Sequence, residues 1–163
     1  MPGGYCWQRT ERRDRLAVVE KSALVPFSAS QMYALVSDME RYPEFLPWCS
    51  DARLISHDDE QLCGEIEVSR LGVTQRFSTC NRLHPPERME LRLREGPFNK
   101  LEGAWAFTPL REDACKVALR LEFEFSGRLI DKAFGAVFGQ IANSLVDAFC
   151  KRAYEVYGGG RAH

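Results

Sequence analysis

Hydrophobic and polar positions repeat with two different periods along this chain, and the change of period divides it. Residues 16–26, LAVVEKSALVP, are rich in β-formers and open the chain as a strand. Ser28 and Gln31 then fit the S-x-x-Q capping box, whose side chains satisfy the free amides of a helix start. Met32, Leu35, Val36 and Met39 recur at helical spacing behind it. Asp38 is placed to begin a second short helix, which Pro43 and Pro47 keep short.

From residue 48 to residue 127 the period falls to two. Leu62, Ile66 and Val68 alternate with Glu65, Glu67 and Ser69, while Val73, Phe77 and Leu83 share a parity with Gln75, Thr79 and Asn81. Met89, Leu91 and Leu93 alternate with Glu90, Arg92 and Arg94; Leu101, Trp105 and Phe107 alternate with Lys100, Glu102 and Ala106. The clearest strand sets Cys115, Val117, Leu119, Leu121, Phe123 and Phe125 against Lys116, Arg120, Glu122 and Glu124. One apolar and one charged face per strand describes an antiparallel sheet wetted on one side. Residues 128–157 return to helical spacing, with a wide apolar band from Leu129 through Phe134, Phe138, Ile141 and Phe149 to Tyr154. The order is one strand, two small helices, about six strands and one long helix. Its simplest closure is an α+β fold in which a curved antiparallel sheet wraps around the long C-terminal helix.

The totals narrow the function classes. The chain has 163 residues, one domain with a real core. Its 22 Lys and Arg balance 23 Asp and Glu, which gives no electrostatic case for a nucleic-acid binder beyond local basic patches, and no DNA partner is expected. There is no long uninterrupted apolar run of membrane-span length, and MPGGYCWQRTERRDR has no apolar core for a signal peptide. Residues 1–14 read as a disordered extension, 15–158 as the domain and 159–163 as a flexible tail. The six cysteines show no C-x-x-C pair or metal-finger spacing, so we expect free thiols in a reducing compartment, the cytoplasm, with no disulfide framework. No nucleophile elbow, phosphate loop or metal-binding H-E-x-x-H is present, and His57, His84 and His163 lie far apart. The pairs Glu65/Glu67 and Glu122/Glu124 alternate with apolar residues and belong to the solvent face. No catalytic residue or metal site is expected.

What remains is aromatic. Trp48, Phe77, Trp105, Phe107, Phe123, Phe125, Phe134 and Phe138 fall on inward faces. Plain core packing explains any one of them. Gly64 and Gly103 share the inward parity and would leave volume unfilled; Gln75, Thr79 and Asn81 would add a few polar groups. Together these describe an apolar chamber for a lipid-like ligand. The stretch RYPEFLPWC would close its mouth with Tyr42, Phe45, Leu46 and Trp48.

Three separated stretches, VPFSASQMYALVSDMERYPEFLPWC, GPFNKLEGAWAFTPL and LEFEFSGRLIDKAFGAVFGQIANSLVDAFCKRAYEVYG, closely resemble the coenzyme Q-binding branch of the START-like (polyketide cyclase) superfamily. Within that branch they are nearest the bacterial ribosome association toxins, and the likeness covers about residues 16–158. It implies the helix-grip fold, no intrinsic cofactor and no enzymatic activity, with ubiquinone or a similar isoprenoid bound between sheet and long helix in support of respiration. The residues expected against that ligand are Tyr42, Phe45, Leu46, Trp48, Phe77, Leu101, Trp105, Phe107, Phe123, Phe125, Phe134, Phe138 and Ile141. Transient contact with a membrane surface, at the periphery of the inner membrane, would accompany quinone handling. The toxin members imply a second function, binding the large ribosomal subunit and blocking subunit association. Its basic contacts would come from Arg9, Arg12, Arg13 and Arg15, or from Lys151 and Arg152. Asn99, Lys100 and Glu102 make the region after GPF less basic than in relatives. A third function, cyclisation of a polyketide oriented by Arg70, Gln75 or Asn81, follows from the superfamily alone.

Overall fold

The computed structural model describes residues 16–158. The expected order is observed. Strand β1 (Ala17–Val25) is followed by helix α1 (Ala29–Ser37), a 3-10 turn (Met39–Arg41) and the one-turn helix α2 (Tyr42–Phe45). Six strands come next: β2 (Cys49–His57), β3 (Gln61–Arg70), β4 (Val73–His84), β5 (Arg88–Glu95), β6 (Phe98–Arg111) and β7 (Ala114–Phe125). Helix α3 (Arg128–Ala153) closes the chain and widens into a last turn, Tyr154–Gly158. The seven strands form one antiparallel sheet in the order β1-β7-β6-β5-β4-β3-β2. Register shifts in the β2–β3, β4–β5 and β6–β7 pairs bend it.

Local sequence explains the elements. The capping box forms as expected: the Gln31 amide donates to Ser28 Oγ at 3.1 Å, and the Ser28 amide donates to Gln31 Oε1 at 2.9 Å. Pro43 sits in the first turn of α2, where its missing N–H costs no helical bond. Asp38 takes the N-cap position of the second helical piece as expected, but its carboxylate makes no capping hydrogen bond and pairs with Arg41 at 3.2 Å.

Helix α3 lies across the inner face, against β1, β7 and α1. Its span Arg128–Gly158 is long and apolar enough by composition to cross a membrane. Here its stripe Phe134, Val137, Phe138, Ile141, Ala142, Val146 and Phe149 is instead buried under the sheet. Leu129, counted in the apolar band, is 83% exposed, so the stripe is narrower at its start. The C-terminal turn is tied to α1, with the Tyr157 hydroxyl donating to the Gln31 carbonyl at 3.0 Å and Phe27 packed between the Tyr154 and Tyr157 rings.

One expectation is corrected. Cys63 and Cys80 are joined in a disulfide, with Cα atoms 4.0 Å apart. They are direct partners across β3 and β4, and this close cross-strand position brings their sulfurs together. Scanning for short cysteine spacings cannot see a pair created by strand register. Among the described residues Cys49, Cys115 and Cys150 are free.

Candidate functional site: an apolar cavity beneath the long helix

Between the sheet and α3 lies a cavity of about 110 Å³. Helix α3 supplies Phe138, Ile141, Ala142, Leu145 and Phe149; the strands supply Leu62, Gly64, Ile66, Phe77, Thr79, Asn81, Leu91, Leu101, Trp105, Leu119 and Leu121; Val36, Met39, Tyr42 and Trp48 close one side. Only Thr79 and Asn81 bring polar side chains to this wall besides the aromatic Tyr42, Trp48 and Trp105. A larger concavity, about 1180 Å³, lies on the opposite sheet face. Exposed charged side chains such as Arg82, Glu90, Arg92 and Arg120 line it, several of them ion-paired. The smaller, more sheltered and apolar space is the better candidate for a small-molecule site.

The thirteen residues expected against a ligand divide into two groups. Tyr42, Trp48, Phe77, Leu101, Trp105, Phe138 and Ile141 line the cavity. Phe45, Leu46, Phe107, Phe123, Phe125 and Phe134 do not. Phe123, Phe125 and Phe134 form a solid aromatic block with Phe98 and Phe138, with Phe98 and Phe125 stacked at 4.8 Å and Phe123 edge-on to Phe138 at 4.8 Å. Phe107 packs on Tyr33 and Trp105. Phe45 lies outside the cavity wall, 5.3 Å from Phe149, with the Arg152 guanidinium 4.9 Å over its ring. Leu46 is fully buried away from the space. The proline-stiffened segment is thus half cavity wall and half brace.

The glycines behave differently from expectation. A Cβ on Gly103 would stand 2.0 Å from the Arg120 carbonyl oxygen, so this glycine permits close approach of β6 and β7 rather than emptying space. A Cβ on Gly64 would stand 1.8 Å from Met39 Sδ. Gly64 makes room for the Met39 side chain, and that flexible thioether fills volume a ligand would otherwise take. Sequence reasoning missed Met39, Leu62, Leu91, Leu119, Leu121, Leu145 and Phe149 as wall residues. The strand leucines were readable as inward by parity and Met39, Leu145 and Phe149 as apolar by helical spacing, but neither pattern carries a signal that separates wall from core.

The electrostatics give no activated group. Burial pushes the Cys49 and Cys150 thiols up to about 11 and raises Cys115, so none is a ready thiolate. Desolvation, then the neighbouring Cys49 and Asp38, raises the Tyr42 phenol, whose hydroxyl donates to the Val36 carbonyl. No group of three or more metal-ligating side chains occurs among the described residues. Of the residues expected to orient a polyketide, Asn81 reaches the cavity while Arg70 and Gln75 do not.

Comparison with known proteins agrees with this architecture. The family model described as "Polyketide cyclase / dehydrase and lipid transport" matches residues 25–150. The "Ribosome association toxin RatA" of Vibrio cholerae is 48% identical over 86% of this chain and 97% of its own length. A Xenopus laevis protein called "Coenzyme Q-binding protein COQ10 homolog B, mitochondrial" is 30% identical over 85% of this chain, which spans 58% of that protein. A START superfamily protein from Mycobacterium smegmatis has the same fold, with a TM-score of 0.70 at 23% identity over 85% of this chain and 98% of its own. A curved seven-stranded sheet gripping a long C-terminal helix, with a small apolar cavity between them, is the START-like architecture, and the chain belongs to the polyketide cyclase/dehydrase and lipid transport family.

Proposed function

We propose that this chain is a binding protein of the ribosome association toxin type, which engages the large ribosomal subunit and opposes its joining to the small one. The observation that carries this reading is the 48% identity running over 97% of the Vibrio cholerae relative, against 30% and 58% for the coenzyme Q-binding one. A binding role also suits a site without an activated nucleophile. Among the basic residues expected to reach RNA, Arg9, Arg12, Arg13 and Arg15 lie outside the described residues. Arg152 is engaged with Glu44 at 3.0 Å and Glu155 at 3.8 Å, so it serves the fold first. Lys100 is held by Glu122 at 2.8 Å and Glu102 at 3.5 Å. Lys151 is exposed and makes no ion pair among the described residues, which leaves it the freest of the expected contacts. Sedimentation of ribosomes with and without the protein, at two salt concentrations, tests the reading. The expected result is a loss of 70S particles to free subunits at low salt, weaker at high salt because phosphate contacts are screened. Unchanged 70S particles at both concentrations would overturn it.

The cavity favours a second reading that is compatible with the first: binding of an apolar small molecule, a polyprenyl quinone of the ubiquinone class or a similar isoprenoid, at a membrane surface. Its volume is below the ~300 Å³ at which drug-sized ligand sites begin, so a quinone ring enters only if Met39 moves off Gly64. Each buried CH₂ of a prenyl tail then contributes ~0.8 kcal/mol. Mass spectrometry of the organic extract of the purified protein tests this: a stoichiometric quinone supports it, and an empty extract together with failure to take up added quinone counts against it.

A further inference from the structure

We infer that the cavity selects apolar ligands that carry a hydrogen-bond donor, a phenol- or quinol-type hydroxyl, and that Asn81 makes the selection. The inference rests on the second reading above. Asn81 is 7% exposed and lines the cavity. Its Oδ1 is sealed from solvent and has no hydrogen-bond partner, while its Nδ2 meets only the Met89 sulfur, at 3.6 Å. A thioether is a weak acceptor, so this carboxamide is poorly satisfied at both ends. Buried polar atoms without partners are rare in folded proteins because each costs its full desolvation. An orphan carbonyl oxygen is satisfied by a donor and by nothing else. An ether or a quinone carbonyl can only accept, and would have to draw Nδ2 from the Met89 sulfur, whereas a phenolic hydroxyl that reaches Oδ1 serves the end of Asn81 that has no partner at all. The flanking wall fits such a group, since the rings of Phe77, Trp105 and Phe138 stand around the same space. So does the size. A dry cavity of ~150 Å³ accepts a benzene ring; the present volume is about 110 Å³, and the flexible Met39 thioether in its wall is the side chain that can yield the rest.

The test uses two isomers of equal size, 4-ethylphenol and 4-methylanisole, with propylbenzene as the apolar reference, titrated calorimetrically into the full chain. Wild type is expected to prefer the phenol by about tenfold or more, the scale of one hydrogen bond made to a buried orphan. In Asn81→Leu, which keeps the volume and removes the orphan atom, the preference is expected to vanish while anisole affinity is kept. Equal affinities for the two isomers in wild type would overturn the donor selection and leave the apolar-ligand reading standing. A preference that survives in Asn81→Leu would overturn the assignment to Asn81. Binding of none of the three compounds would overturn both.

Discussion

The two ends of the space beneath α3 are built from residues of the same inward parity, yet one is solid and the other hollow. At the solid end Phe98, Phe123, Phe125, Phe134 and Phe138 satisfy one another, with centroid separations of 4.8–5.9 Å. Aromatic rings from β6, β7 and α3 are long enough to meet across the gap, and edge-on packing fills it. At the hollow end Leu62, Ile66, Leu91, Leu119 and Leu145 face each other with Thr79 and Asn81 among them. Shorter side chains over the same gap leave a space, and Met39 covers one side of it. Inward aromatic rings therefore exclude a ligand only where they pack on one another, as Phe98, Phe123, Phe125 and Phe134 do; Phe77, Trp105 and Phe138 reach the cavity. The largest expected effect follows from this contrast. Phe125 is 2% exposed and touches four other rings, so Phe125→Ala should cost about 3–5 kcal/mol by denaturant unfolding. A loss below about 2 kcal/mol would mean that the block can relax and is not solid.

The hollow end should respond in the opposite way to added volume. Ala142 is 1% exposed and lines the cavity. Overpacking a filled core costs about 1–3 kcal/mol, but Ala142→Leu projects its extra carbons into existing space. Its stability should stay within about 1 kcal/mol of wild type, and uptake of 4-ethylphenol should be abolished. Destabilisation by about 3 kcal/mol would show that the space does not exist in solution, and the contrast between the two ends would collapse.

This contrast also marks how far the sequence could be read. Period-two alternation located the strands and the faces of β3, β4, β6 and β7, because each side chain's face is set by parity alone. The capping box at Ser28 and Gln31 located α1, since that motif is local chemistry. The division of inward residues into wall and block was not legible. Phe77 and Phe123 have the same type and parity, yet Phe77 touches the cavity and Phe123 does not. What separates them is the path of α3 and the bend of the sheet, which arise from packing between distant segments. Cys63 and Cys80 were missed for a related reason, because their pairing depends on the β3–β4 register rather than on their spacing. Asn81 was readable as inward and polar, but its lack of a partner appears only when its neighbours are placed.

A third region, the brace formed by α2, borders the hollow end and supplies the smallest test. Arg152 on α3 holds Glu44 on α2 at 3.0 Å and lies over the Phe45 ring, joining the two elements on the outside of the wall that Tyr42 and Trp48 form on the inside. Glu44 also accepts from Arg41 at 3.2 Å, so its charge is shared. Half-exposed ion pairs contribute about 0.2–1 kcal/mol and are screened by salt. Glu44→Gln should therefore lower stability by about 0.5 kcal/mol at low salt, with the difference shrinking at high salt. Its larger consequence should be kinetic. With the brace loosened, Tyr42 and Met39 move aside more often, so 4-ethylphenol should enter and leave faster while its affinity changes less than about threefold. Unchanged exchange rates would show that entry does not pass beneath α2.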